Sequence, residues 1–251
     1  MTRNGAPRRI LAVDIGGGKV KLLATGETEP RKFRSGPGLA PAHMVEQVQK
    51  AAKGWSYEAV SIGLPARVGP AGVLAEPGNL APGWVGFDYA AAFDCPVRMT
   101  NDASMQALGS YDGGRMLFLG FGTGLGSALI ADHIIISLEL GDLHFEAGTY
   151  SERLGRASFD EIGKKAWRKL ALKAIPPLQK AFLADYVVAG GGNAKHLVKK
   201  LPANVRLGNN LTAFRGGFRL WGIDDVQTLR VGEGSHRKWA ARPVNGEWRV
   251  L

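Results

Sequence analysis

Apolar residues in this 251-residue chain come in short runs broken by glycine-rich bends, a plan that predicts strands and tight turns. Leu11-Ala12-Val13-Asp14-Ile15 leads through Gly16-Gly17-Gly18 into Lys19-Val20-Lys21-Leu22-Leu23, which reads as strand, turn and strand. Leu117-Phe118-Leu119-Gly120-Phe121 leads through Gly122-Thr123-Gly124 into a second such run, placing Gly122 and Gly124 106 positions after Gly16 and Gly18. Further strands are predicted at Val60–Leu64, Val97–Thr100 and Tyr186–Ala189. Helical spacing appears at 41–53, 103–108, 158–174, 194–200 and 211–221. In 158–174, Ser158 and Glu161 read as a capping box, Ile162, Ala166, Leu170 and Ala174 as the apolar stripe, and Pro176-Pro177 as the stop. Pro- and Gly-punctuated loops fill 27–39 and 69–86, the second carrying Asn79.

Glycine bends of this kind let a ligand lie against backbone amides, and two facing each other could hold a chain of phosphates. Ordinary tight hairpins would account for either bend alone. Two copies, with Asp14 and Lys19 beside the first, favour a ligand. Neither familiar nucleotide motif fits. A Walker loop needs Gly at 13 and Ser or Thr at 20, where the chain has Val13 and Val20. A dinucleotide fingerprint needs Gly at 127, where the chain has Ser127. Asp102 falls where a strand meets a helix start, a position that suits a plain N-cap pair with Asn101 as well as a reactive carboxylate. Gly190-Gly191-Gly192 follows a strand and precedes a helix, an arrangement that docks phosphate or nucleotide.

Composition narrows the setting. Cys95 is the single cysteine, so neither a disulfide framework nor a thiolate zinc site is available. No run of 18 apolar residues occurs, and Asp14 interrupts the first one, so a membrane span or secretory signal is not expected and a cytoplasmic setting is. The net charge of +10 is uneven: residues 1–150 hold 13 Lys/Arg against 14 Asp/Glu, residues 151–225 hold 14 against 6, and 226–251 hold 5 against 2. A basic second half suits a polyanionic partner, with a solvated cationic face as the plain alternative. Nucleic acid is not expected, because the cations are Lys-rich on a helix and no nucleic-acid module appears.

The first bend, Pro77-Gly78-Asn79-Leu80, the Asn101-Asp102 pair, the second bend, Leu138-Glu139-Leu140-Gly141 and the Gly190 cluster, in this order over residues 10–222, resemble the sugar-kinase branch of the actin-like ATPase superfamily, and within it the ROK family and its polyphosphate glucokinases. The resemblance implies an α/β fold of two actin-like (ribonuclease H-like) domains with an interdomain cleft. Residues 1–103 would form the N-terminal domain with the sugar loops, 104–225 the C-terminal domain with the second phosphate loop, and 226–251 a basic aromatic tail. It implies a kinase moving a phosphoryl group from polyphosphate or ATP, with Mg²⁺, to a hexose hydroxyl such as that of glucose. Asp102 would be the base; Asn79, Asn101, Asp102, Glu139 and Asp142 would meet the sugar. Asp14, Gly16, Gly17, Gly18, Lys19, Gly122, Thr123, Gly124, Gly190, Gly191 and Gly192 would meet the donor, with Asp14 orienting the metal. Lys164, Lys165, Arg168, Lys169, Lys195, Lys199 and Lys200 are candidates for a polyphosphate tail, and a homodimer is a further expectation. The chain departs from the family at Asp142, where a His is usual, with His144 two residues on. It departs again at Gly18, where Thr or Ser is usual, and the family's cysteine zinc cluster is absent. A non-catalytic sugar binder of the same fold, or a kinase for another sugar or polyol, stays open.

Overall fold

The computed structural model describes residues 9–198, 201–209, 211–224 and 248–250; Lys199, Lys200 and the tail up to 247 lie outside the described residues. The first half contains β1 (Ile10–Ile15), β2 (Lys19–Ala24), β3 (Arg31–Arg34), α1 (Pro41–Ala51), β4 (Ala59–Leu64), the small hairpin β5 (Val68–Gly69) and β6 (Gly72–Val73), α2 (Tyr89–Phe93), β7 (Val97–Asn101) and α3 (Asp102–Ser110). The second contains β8 (Met116–Phe121), β9 (Leu125–Ala131), β10 (Ile134–Leu138), the hairpin β11 (His144–Phe145) and β12 (Gly148–Thr149), α4 (Tyr150–Leu154), α5 (Arg156–Ala181), β13 (Tyr186–Gly190), β14 (Val205–Leu207), α6 (Thr212–Arg219) and β15 (Arg249–Val250).

Two sheets repeat one design. The first runs β3-β2-β1-β4-β7 and the second β14-β13-β8-β9-β10-β15. In each, a glycine bend joins an antiparallel pair, β1–β2 or β8–β9, and two further strands extend the sheet in parallel, β4 and β7 or β13 and β14. β1 and β4 are buried along their whole length, as the continuous apolar runs require of strands covered on both faces. One core packs α1 and α2 on the first sheet, and another packs α4 and α5 on the second.

Between the sheets lie α3 and α6. α3 carries Ala103, Ala107 and Leu108 onto the core of the second sheet, whereas Phe214 and Phe218 of α6 pack on Ile10, Ala12 and Leu23 of the first. The last helix thus crosses back over the 103/104 division expected from the chain. Glycine permits this crossing: a Cβ on Gly109 would run into the Thr212 carbonyl, and one on Gly216 into that of Met105. Two buried guanidiniums secure the pair. Arg219 donates to the Leu108 and Tyr111 carbonyls at 2.7 Å each, and Arg215 to that of Gly109 at 3.3 Å, while both pair with Asp224.

Three local expectations change. α5 begins at Arg156 and breaks phase at Gly163 (φ 76°), so its buried stripe is Trp167, Ala171, Ala174, Ile175 and Leu178, and Ala166 is exposed. The capping box forms earlier, at α4, between Thr149 and Glu152, and α5 continues through Pro176-Pro177 because Ile175 and Leu178 are locked in the core. The helix expected at 194–200 is a single 3₁₀ turn, Ala194–Leu197.

Candidate active site

A cleft of about 270 Å³ opens between the two sheets, and its walls come from both. Gly17 of the first bend faces the second: a Cβ there would stand 3.2 Å from Thr123 Oγ1 and 2.8 Å from Asn79 Nδ2. Gly122, Thr123 and Gly124 line the opposite wall, closed by the Gly122 amide donating to the Gly124 carbonyl at 3.0 Å. A side chain at Gly17 would displace the Asn79 and Thr123 side chains, so the bends meet backbone to side chain across the opening.

The floor is the start of α3. Asn101 caps it, its Oδ1 accepting from the Ala103 and Ser104 amides at 2.9 and 3.3 Å, while its Nδ2 donates to the Ala66 carbonyl at 3.3 Å. The plain capping role is therefore real, and it fixes the next residue. Asp102 is partly buried and faces the cleft, with Oδ1 accepting from the Ala103 amide at 2.8 Å. Burial first, then the nearby Asp14 and more weakly Glu139, push its carboxyl up to about 7 against the Ala103 amide. It is thus poised between acid and base near neutral pH.

Glu139 lines the cleft from the segment after β10, and burial raises its carboxyl, helped by Asp142 and opposed by Arg67. Asn79 lies on a loop fastened by Glu76, whose carboxylate accepts from the Gly83, Trp84 and Val85 amides at 3.1, 3.0 and 3.2 Å. Those amides, Trp84's above all, hold the Glu76 carboxyl below its ordinary value. Gly191 lines the far end at φ 81°, where a Cβ would strike the Phe121 backbone.

The remaining sequence candidates sit elsewhere. Asp14 is 5% exposed, behind the cleft wall, with Lys21 Nζ 3.3 Å from its carboxylate. Burial raises the Asp14 carboxyl despite that cation. Gly18 and Lys19 are exposed at the bend and, with Gly16, stay off the cleft lining. Lys21, opposite Asp14 in the strand register, is the cation the structure pairs with it, a position legible only once the register is known. Asp142 is exposed in a 3₁₀ turn away from the lining. Gly190 pairs with Gly120 under the Phe118 ring, and Gly192 is exposed. Ala66, Gln106 and Ser151 line the cleft without having been singled out in the sequence. Ser151 accepts from the Leu125 amide at 3.1 Å, and the i, i+4 spacing from Asp102 could have found Gln106.

Beyond Gly191, Arg156 donates to Asn193 Oδ1 at 3.2 Å, and His196 stacks on Phe159 at 4.6 Å. Burial and the charges of Lys164, Lys195 and Arg156 together lower the His196 imidazole, which marks a dense positive patch. Among the described residues no group of three His, Cys, Asp or Glu side chains could hold a metal ion, and no helix is long and apolar enough to cross a membrane.

Two lobes built on one repeated plan, with a glycine bend from each closing on a shared cleft, make a fold shared with solved ROK family proteins. In sequence the chain is similar to the polyphosphate glucokinase of Mycobacterium leprae, 26% identical over 211 residues, which are 77% of this chain and 62% of that protein. In structure it resembles the inorganic polyphosphate/ATP-glucomannokinase of Arthrobacter sp. strain KM, with TM-score 0.67, 20% identity and coverage of 84% of this chain and 96% of that one. It also resembles a ROK family glucokinase from Streptomyces griseus solved with glucose and AMPPNP, with TM-score 0.63, 16% identity and coverage of 83% and 97%. No family model matches the chain.

Proposed function

We propose that this protein is a sugar kinase that transfers a phosphoryl group from polyphosphate, with ATP as a second donor, to a hexose hydroxyl, glucose being the first candidate. The reading is carried by one observation: a carboxyl raised to about 7 faces a cleft whose two walls are matched glycine bends. Asp102 accepts the proton of the attacking hydroxyl while the new O–P bond forms and the donor's bridging O–P bond breaks. Asn79, Asn101 and Glu139 hold the other hydroxyls, which fixes the attacking oxygen in line. Gly17, Gly122 and Gly124 offer room for a phosphate against backbone amides, and Thr123 adds a hydroxyl donor.

Mg²⁺ is consistent with Asp14, since this ion takes one or two carboxylates and completes its shell with phosphate oxygens and water. When bound it would neutralise charge on the donor. Lys21, already 3.3 Å from that carboxylate, places a positive charge beside it behind the cleft wall. The cations Arg156, Lys164 and Lys195 around His196 support a long anionic donor, because a nucleoside triphosphate needs fewer cations beyond the cleft.

The test is glucose with Mg²⁺ and either long-chain polyphosphate or ATP, scored as glucose 6-phosphate. The parent should turn over, and Asp102→Asn should be slower by roughly 10²–10⁴. A variant as fast as the parent removes Asp102 from the mechanism. Glucose binding by calorimetry without turnover favours the sugar-sensor alternative.

A further inference from the structure

Three residues of α3 line the cleft: Asp102, Ala103 and, one turn on, Gln106. Side chains of a helix lean toward its N-terminus, so Gln106 reaches back over the turn that carries Asp102. That turn is pressed against the second bend, where a Cβ on Gly126 would stand 2.9 Å from the Ala103 methyl. Ala103 and Ala107, on either side of Gln106 along α3, pack with Phe118 and Ala128 of β8 and β9, the strands of the donor-side bend, while Asn79 stands against Gly17 of the first bend. The carboxamide is only partly buried and has no hydrogen-bond partner among the described residues. By contrast, Asn101 commits its Oδ1 and one Nδ2–H to the Ala103, Ser104 and Ala66 backbone, which leaves it a single N–H for a ligand.

We propose that Gln106 is a catalytic residue whose carboxamide N–H groups donate to an equatorial oxygen of the transferring phosphoryl group. This assignment rests on the kinase reading and deepens it. Charge on those oxygens must be met by donors already in place, and a neutral amide supplies them beside Asp102 without lowering that carboxyl as a cation would. Such a contact strengthens as the phosphoryl group passes between oxygens, so its removal reduces kcat more than it raises either KM.

The experiment compares the parent with Gln106→Met, which keeps length and loses the donors, and Gln106→Glu, which keeps size and brings negative charge. Initial rates are measured against sugar and against donor separately, with the melting temperature as a check of folding. Gln106→Met should lose about 10²–10³ in kcat, the cost of one such donor. Both KM values should stay within about 3-fold, and Gln106→Glu should be slower still at pH 8. A Gln106→Met enzyme with parental kcat overturns the proposal, and so does a raised sugar KM at unchanged kcat, which would put the amide on the acceptor. If Gln106→Met does not fold, parental kcat in Gln106→Glu overturns it equally. A parent that phosphorylates no sugar overturns both readings; an active parent with an unaffected variant overturns this one alone.

Discussion

Replacing Asp102 by Asn should make the protein more stable at pH 8 even as it removes the proposed base. The Asp102 carboxyl ionises at about 7 in the folded chain against an ordinary 3.8. Between those values the folded state binds more protons than the unfolded one, so stability falls as pH rises through the window, and the whole loss is present above about 7. Three units at about 1.36 kcal/mol each give about 4 kcal/mol as an upper bound, and partial opening to the cleft brings the expectation to about 2–4 kcal/mol. At this chain length 1 kcal/mol moves Tm by about 2–4 °C, which predicts a gain of roughly 5–15 °C at pH 8. The assay is a series of thermal melts of parent and Asp102→Asn from pH 4 to pH 8, where titrating groups not coupled to Asp102 cancel in the difference. The gap should widen steadily between about pH 4 and pH 7 and then level off. A difference independent of pH would refute the claim that burial and Asp14 strain this carboxyl.

Other perturbations separate the parts of the site. The kcat/KM of the parent should rise with pH to a plateau above about 7, and Asp14→Asn should move that midpoint down because the Asp14 charge is the second cause of the shift. Glu76→Gln weakens three amide contacts that fasten the Asn79 loop and should raise the sugar KM by about 10-fold, while donor KM and kcat hold in the same rate assays. Gly191→Ala puts a side chain at φ 81° against the Phe121 backbone and should lower Tm by several degrees in a thermal melt. Arg156→Ala with Lys195→Ala should raise KM for long-chain polyphosphate in low salt and flatten its salt dependence, leaving KM for ATP little changed.

The repeated bend was legible in the sequence because the same glycine spacing recurs between apolar runs where a lone hairpin would not, and it foretold both the matched sheets and the faced loops. Asp102 was legible through the strand-to-helix switch at Asn101-Asp102. What escaped depended on pairing across distance. Lys19 stood nearer the bend in sequence, yet the β1–β2 register sets Lys21 opposite Asp14 and leaves Lys19 exposed. Trp167 and Ala171 became the buried stripe of α5 because Gly163 breaks the helical phase, an angle no periodicity reports. Glu76 had no motif at all; its three amide partners come together only when residues 76–85 close on themselves.

The bare backbone contact of Gly109 and Gly216 leaves α3 and α6 no thickness of side chain to slide on. One end of α3 is anchored there by the two arginines, and the other end bears Asp102. The helix is thus a short lever, held at its C-terminal half and free to aim its first turn. A single methyl added at either glycine would shift the helix that carries the proposed base, so a loss of activity from that crossing should be read as misaimed chemistry.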